Sequence, residues 1–378
     1  MNKTTSHRLR EIATLFLKLG VFAFGGPAAH IAMMEEEVVQ KRQWMSQQHF
    51  LDLVGATNLI PGPNSTEMTM HCGHERGGAW GLFTAGISFI LPAVLITGGF
   101  AYLYVEYGKL PQVGRLLYGI KPAVLIIILS AVIKLGSKGL KNLQLGVLGG
   151  LAALAVLLGV NEIYAILGAG VLGLALHGVF HLRSSAVLIP LPLLLFQATP
   201  AASGASLLKL FLTFLKIGSI LFGSGYVLVA YLDGELVQKL GWLTRSELLD
   251  AIAIGQFTPG PVLSTSTFIG YQILGFWGAV VATAGIFLPS FFFVWLLNPL
   301  VPRLRESKAA GAFLDAVNIG AVGIMAAVVL QLGGEVMLDW KAWIIAGLGA
   351  LAVFGPWKVS SVWVIVGGAV LGWGLGWA

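Results

Sequence analysis

Two stretches of the sequence place proline, glycine and hydroxyl side chains inside apolar segments. The first is Pro61-Gly62-Pro63, followed by the polar run Asn64 to Glu67, and the second is Pro259-Gly260-Pro261, followed closely by Ser264 to Thr267. Because proline lacks an N–H group and clashes with the preceding turn, each stretch predicts two half-helices rather than one helix. The start of the second half-helix then presents unbonded amides and the positive end of a helix dipole, an arrangement that binds anions. The alternative is a pair of proline kinks filled by neighbouring side chains and water.

Two lysines occur at matching places in apolar segments. Lys18 lies seven residues before Gly25, and Lys216 lies seven residues before Gly223, so each lysine shares a helical face with a glycine-rich break. A lysine within a membrane segment costs at least ~2.5 kcal/mol unless it is paired or solvated. Two lysines and two helix ends would suit a doubly charged oxyanion. The alternative is that each lysine extends to the membrane interface.

These patterns define the candidate site. The substrate-binding candidates are Lys18, Gly25, Gly26, Asn58, Asn64, Ser65, Thr66, Lys216, Gly223, Ser224, Gln256, Ser264 and Thr265. Glu67 is the coupling candidate, because a desolvated carboxylate beside an anion can take up a proton. The second copy has Thr265 at this position, so the acid is asymmetric. Alternatively, Glu67 is a structural acid that is hydrogen-bonded to the backbone or paired with one of the two lysines.

The segments that carry these residues are copies of each other. Residues 16–63 and 214–261 align without a gap at an offset of 198, with 17 identities in 48 positions. A duplicated membrane unit is typical of secondary transporters. The sequence therefore predicts a first repeat at 1–183, a linker at 184–206 that could add a crossing, and a second repeat at 207–378. Each repeat carries about six apolar segments.

Composition sets the class of protein. Of the 378 residues, 57% are hydrophobic and 11% are charged, against about 25% charged in ordinary soluble domains. The mean hydropathy is +0.85. The sequence therefore predicts an all-α polytopic membrane protein whose partner is the lipid bilayer. The net charge of +6 is interpreted as membrane topology rather than nucleic-acid binding.

Loop charges favour inverted repeats. Lys134, Lys138 and Lys141 follow the fourth segment of the first half, whereas the basic residues of the second half, Arg303 and Arg305 among them, precede its fourth segment. Since basic residues collect in cytoplasmic loops, this difference fits two halves of opposite orientation. A parallel arrangement remains the alternative, and the short proline-broken linker is the weak point of the inverted one.

Other kinds of chemistry have weaker signals. The sequence contains no G-x-x-x-x-G-K-[ST] nucleotide-binding motif and no H-E-x-x-H motif, so neither ATP hydrolysis nor an embedded metalloprotease is expected. The run His71 to Glu75 is more typical of a polar helix end than of a metal site. No cofactor and no metal are predicted, and the protein is not expected to be an enzyme. An anion channel, which could use the same helix ends, is the alternative function.

The motifs FLKLGxxxFGGP, NLIPGPNSTE and FTPGPVLSTSTFIGY closely resemble the chromate ion transporter family in its long, two-domain form. The resemblance covers about residues 8–376. It implies a multi-pass inner-membrane carrier that exports chromate, with sulfate as a close analogue, and that confers chromate resistance. It also implies antiparallel halves. One departure is that the second half has Gly223-Ser224-Gly225 without the proline of the first. The expected partner is a chromate or sulfate dianion, and a homodimer is left open.

Overall fold

The computed structural model describes residues 3–23, 27–57, 60–108, 110–180, 204–222, 225–297, 308–357 and 359–375. These residues form α-helices with short 3₁₀- and π-helical segments, and they contain no β-strand. The first half contributes α1 (Lys3–Phe22), α2 (Pro27–Met34), α3 (Gln47–Thr57), α4 (Asn64–Tyr107), α5 (Pro111–Gly139), α6 (Leu143–Leu157) and α7 (Glu162–Phe180). The second half contributes α8 (Leu207–Ile220), α9 (Leu228–Leu232), α10 (Arg245–Phe257), α11 (Thr265–Leu297), α12 (Lys308–Val336), α13 (Trp340–Phe354) and α14 (Ser361–Leu375). Most of the expected linker, with its extra crossing, lies outside the described residues.

Four helical stretches of the described chain are long and apolar enough to cross a membrane. They are Asn64–Tyr107, Pro111–Gly139, Val262–Leu296 and Gly311–Val336. Shorter apolar helices accompany them at Leu143–Leu157, Glu162–Leu176, Trp340–Phe354 and Ser361–Leu375. Large apolar side chains such as Leu95 and Leu330 are about two-thirds exposed, as expected where lipid rather than water surrounds the protein. These features agree with the predicted all-α membrane fold.

The longest helices, α4 and α11, are each bent sharply at a glycine. Gly78 has φ 63° and ψ −154°, and Gly275 has nearly the same values, φ 62° and ψ −152°. A methyl group on Gly73 would overlap the Gly81 carbonyl oxygen. In a straight helix these residues would be ~12 Å apart along the axis, so the two limbs of α4 must fold towards each other. The same contact recurs in α11.

Glycines also allow neighbouring helices to approach closely. A methyl group on Gly20 of α1 would lie 2.6 Å from the Phe89 carbonyl oxygen of α4. The matching Gly218 of α8 packs just as closely on the Ile286 carbonyl of α11. Small residues have this role between membrane helices because apolar burial gives little drive for association within lipid. Each half thus fixes its first helix against the long helix that follows its proline motif.

Several helix pairs join the two halves, among them α5 with α14, α6 and α7 with α12, and α4 with α11. Phe83 of α4 stacks on Phe291 of α11 with ring centroids 5.6 Å apart. Towards the other end of this interface, Tyr104 packs on Phe268 and donates a hydrogen bond to Asp250 of α10 over 2.9 Å. The duplicated proline motifs therefore lie at the ends of helices that join the two halves.

Candidate functional site

The helix interruption in each half falls at the proline motif. In the first half, α3 ends at Thr57 and α4 begins at Asn64, with Pro63 in extended conformation as its N-cap. In the second half, α10 ends at Phe257 and a 3₁₀ turn over Val262–Ser264 leads into α11. Proline suits the position before a helix because it needs no hydrogen-bond acceptor there. Each motif therefore places a helix start inside the apolar part of the protein.

The two proline motifs make reciprocal contacts with the opposite halves. The Gly62 N–H donates a hydrogen bond to the Leu221 carbonyl, just after α8, over 2.6 Å. The Gly260 N–H donates to the Ala23 carbonyl, just after α1, over 3.0 Å. Donors and acceptors are both related by the offset of 198. Reciprocal pairs of this kind are the signature of two-fold symmetry, here between the repeats of one chain.

Polar atoms cluster beside the first motif. A methyl group on Gly62 would overlap Oε1 of Glu67 and would lie 2.5 Å from Oγ of Ser290, a residue of α11. Glu67, Ser290 and Thr66 are fully buried. Among the described residues, the Glu67 carboxylate and the Ser290 and Thr66 hydroxyls have no hydrogen-bond partner. Because buried polar groups are normally hydrogen-bonded, such atoms indicate a proton, a water molecule or a solute between the halves.

The second motif faces a different set of hydroxyl groups. The Thr97 hydroxyl, on α4, lies 3.2 Å from Oγ of Ser264 and 3.4 Å from Oγ1 of Thr258. Thr265 is buried and its hydroxyl donates to the Val262 carbonyl over 2.7 Å, and Gln256 is buried with Nε2 lacking a partner among the described residues. Within the described residues, the second cluster therefore contains hydroxyl and amide groups and no carboxylate.

The two predicted lysines have different surroundings. Lys216 forms an ion pair with Glu235 over 2.5 Å, and its side chain is 14% exposed. Lys18 lies on the exposed face of α1. The acid that matches Glu235 in the first half is Glu37, which instead pairs with Lys41 and Arg42. The paired-lysine arrangement expected from the repeats is thus not symmetric in the structure.

The structure places some predicted residues together and leaves others undescribed. The hydroxyl-bearing candidates Ser65, Thr66, Ser264 and Thr265 are all buried at the starts of α4 and α11, and Asn64 is half-buried at the first position of α4. The candidates outside the described residues are Gly25, Gly26, Asn58, Gly223 and Ser224.

Sequence reasoning missed Ser290 and Thr97. Ser290 follows Pro289 as Ala93 follows Pro92, at an offset of 197. The second motif meets Ala93 where the first meets Ser290, since a methyl group on Gly260 would lie 2.9 Å from the Ala93 Cβ. Extending the repeat alignment to these prolines shows that the second half has Ser290 where the first half has Ala93. The alignment does not show that Ser290 lies against the proline motif of the other half.

In the described part of the chain, no group of three or more His, Cys, Asp or Glu side chains is arranged to hold a metal ion. Cys72 is buried and is not bonded to another cysteine.

Comparison with known proteins gives the family. The family model described as "Chromate transporter" matches residues 10–174 and 208–373. The chain belongs to the chromate transporter family. The two matches fall on the two repeats, and the family consists of transporters rather than enzymes. With several apolar helices of spanning length or close to it, this chain is a multi-pass membrane protein.

Individual relatives agree over nearly the whole chain. A "Probable chromate transport protein" of Synechococcus elongatus is 32% identical over 363 residues, covering 94% of this chain and 91% of the relative. A "Chromate transport protein" of Pseudomonas aeruginosa is 31% identical, covering 96% and 91%. One of Cupriavidus metallidurans is 30% identical, covering 97% and 93%. No solved structure matches the chain significantly.

Proposed function

We propose that this chain is a secondary carrier that exports chromate across the inner membrane and thereby confers chromate resistance. The observation that carries the proposal is the pair of reciprocal proline motifs, which brings two buried, hydroxyl-rich helix starts to the junction of the halves. Family membership supports chromate as the substrate. Sulfate, a tetrahedral dianion of nearly the same shape, would bind the same donors.

The proposed binding mode uses helix ends and neutral donors. Backbone amides and the hydroxyls of Ser65, Thr66 and Ser264 would replace the water around the oxyanion, and the positive ends of α4 and α11 would offset its charge. Lys216 stays a candidate ligand that must exchange its pairing with Glu235 to reach the anion. Lys18 and the five undescribed candidates retain their assignment on the sequence argument alone.

Alternating access would follow from the two-fold relation between the repeats. If the repeats are inverted, as the loop charges favour, exchanging their conformations opens the shared site to the opposite side of the membrane. Glu67 would couple this exchange to protons, because its carboxylate lies at the site with no partner among the described residues. An ionised Glu67 would repel a dianion, and a protonated one would donate a hydrogen bond to it.

Reconstitution of the purified chain into liposomes tests the proposal. A carrier predicts saturable chromate uptake and counterflow, in which unlabelled internal chromate accelerates entry of labelled chromate. Uptake without saturation or counterflow would instead favour an anion channel, the second candidate for these helix ends. Glu67→Gln should retain uptake and flatten its pH dependence. An unchanged pH profile in this variant would remove the coupling role of Glu67.

A further inference from the structure

A buried acidic cluster lies away from the proline motifs, where the start of α7 of the first half meets residues 233–235 of the second half. Glu162, the first residue of α7, is 2% exposed, and its Oε2 atom has no hydrogen-bond partner among the described residues. Its carboxylate lies directly against Gly234, where an added methyl group would overlap both oxygens. Gly234 stands between Asp233 and Glu235, which are also buried. Three carboxyl groups therefore share one buried region.

The cations of this region are already engaged by the other acids. Lys216 pairs with Glu235 over 2.5 Å, and Lys239 lies 3.4 Å from the same carboxylate. Arg245 pairs with Asp233 over 3.1 Å and with Glu335 over 2.7 Å. The described part of this region thus contains three cations and, with Glu162, four carboxylates. One carboxyl group is in excess, and Glu162 is the one without an ion pair.

Among the side chains that the structure describes, the elements packed against α7 supply no other counter-charge. Helix α6 has no titratable residue. On α9, the Tyr231 hydroxyl donates to the Ile220 carbonyl. On α12, Asp315 pairs with Lys141 and Glu335 pairs with Arg245. An ionised Glu162 would therefore be a buried and unpaired negative charge beside two other acids, which is the form that burial disfavours most.

The repeat-related position, formed by residues 35–37 of the first half and the start of α14 of the second half, lacks both parts of this arrangement. Glu36, an exposed residue that pairs with Lys41, occupies the position of Gly234. Helix α14, the counterpart of α7, begins with Ser361 rather than with an acid. The first-half acid Glu37 is held by Lys41 and Arg42. The glycine and the extra acid thus occur together at one of the two repeat-related positions.

We propose that Glu162 is a proton-binding site at the contact between α7 and residues 233–235, occupied by a proton while Lys216 is paired with Glu235. When Lys216 leaves Glu235, it becomes available to Glu162, whose carboxyl group then releases the proton and accepts the lysine as its counterion. The proton site stands on the geometry of the cluster. Its coupling to anion movement rests on the proposed function, because Lys216 is also a candidate ligand of the anion.

Infrared difference spectroscopy of the full chain in liposomes tests the proton site without transport. Raising the pH should remove a carbonyl band of protonated carboxyl groups, and part of that band should be missing in Glu162→Gln. Glu335→Gln, at the exposed edge of the same cluster, should leave the band unchanged. Glu162→Gln should also fold, since an amide has the shape of the protonated acid. If it does not assemble, Glu162→Asp should retain the band at a shifted frequency. Spectra of Glu162→Gln identical to wild type, or a band unmoved in Glu162→Asp, would overturn the proposal.

A second measurement tests the coupling. In liposomes, Glu162→Gln should retain chromate counterflow at equal pH and should lose most of the stimulation by a pH gradient. Full stimulation in this variant would overturn the coupling and leave the spectroscopic result as evidence for the proton site. If wild-type protein moves no chromate, the proposed function fails, and the infrared result alone decides whether Glu162 binds a proton.

Discussion

Replacing Gly62 with alanine tests the geometry of the first proline motif. Gly62 has φ +146°, and a methyl group there would overlap Glu67 and lie 2.5 Å from Oγ of Ser290. Two costs add: a side chain at this backbone angle costs about 1–3 kcal/mol, and overpacking a filled site typically costs a further 1–3 kcal/mol. The variant should therefore be destabilised and should transport chromate poorly, because Glu67 and Ser290 must move.

Gly78→Ala is the matched control, since Gly78 also has a positive φ, 63°, but no atom lies within 4 Å of an added methyl group. Gly78→Ala should therefore be destabilised only by the unfavourable backbone angle. The difference in free energy of unfolding between the two variants should be about 1–3 kcal/mol, or about 5- to 150-fold in the unfolding equilibrium. Unfolding in a denaturing detergent, followed by tryptophan fluorescence, measures it. A Gly62→Ala protein as stable and as active as Gly78→Ala would refute the proposed crowding of this site.

Three further predictions concern other parts of the chain. Lys216→Gln should lower the free energy of unfolding by about 1–3 kcal/mol, because the buried Glu235 loses its shorter ion pair and keeps only Lys239 at 3.4 Å. Lys18→Gln on the exposed face of α1 should lower it by less than about 0.5 kcal/mol; equal effects would show that the lysines have equivalent surroundings. Thr97→Val should weaken chromate binding and lower the free energy of unfolding by about 1 kcal/mol, because it loses the contacts with Thr258 and Ser264. Thr97→Ser should keep both the binding and the stability. A valine variant that binds chromate like wild type would show that Thr97 is not part of the site. Asp339→Ala should lower the free energy of unfolding by about 1 kcal/mol, because the Ala342 N–H loses the side chain that caps the helix. Asp339→Asn should retain most of this stabilisation. The Tyr118 hydroxyl holds the pKa of Asp339 below its usual value, so the part of the stabilisation that depends on the negative charge should be present above about pH 4 and lost as the pH falls; pH-independent stability differences between Asp339→Ala and wild type would contradict it.

The features that could be predicted from the sequence are local or repeated. A proline removes a donor wherever it stands, so the interruptions at Pro61-Gly62-Pro63 and Pro259-Gly260-Pro261 follow from residue type alone. The offset of 198 likewise gave the organisation into two units, and the hydroxyl-bearing residues after each motif proved to be buried. These inferences needed no knowledge of which helices touch.

The features that could not be predicted depend on tertiary partners. Ser290 joins the first motif only because α11 crosses to the other half, and Thr97 reaches the second motif for the same reason. The two lysines look equivalent in the alignment, yet Lys216 is paired and Lys18 is exposed. The bend at Gly78 was also not expected, since a single glycine within a helical pattern is usually tolerated without one.

Equilibrium binding of labelled chromate to the purified chain tests the central claim most directly. The account predicts one saturable site per chain, displaced by sulfate and not by chloride at equal concentration. In the double variant Thr66→Val/Ser264→Ala, loss of one hydrogen bond at each helix start, at about 1 kcal/mol each, should weaken binding about 30-fold. Unchanged affinity in the double variant, or equal displacement by chloride, would contradict a dianion site between the two proline motifs.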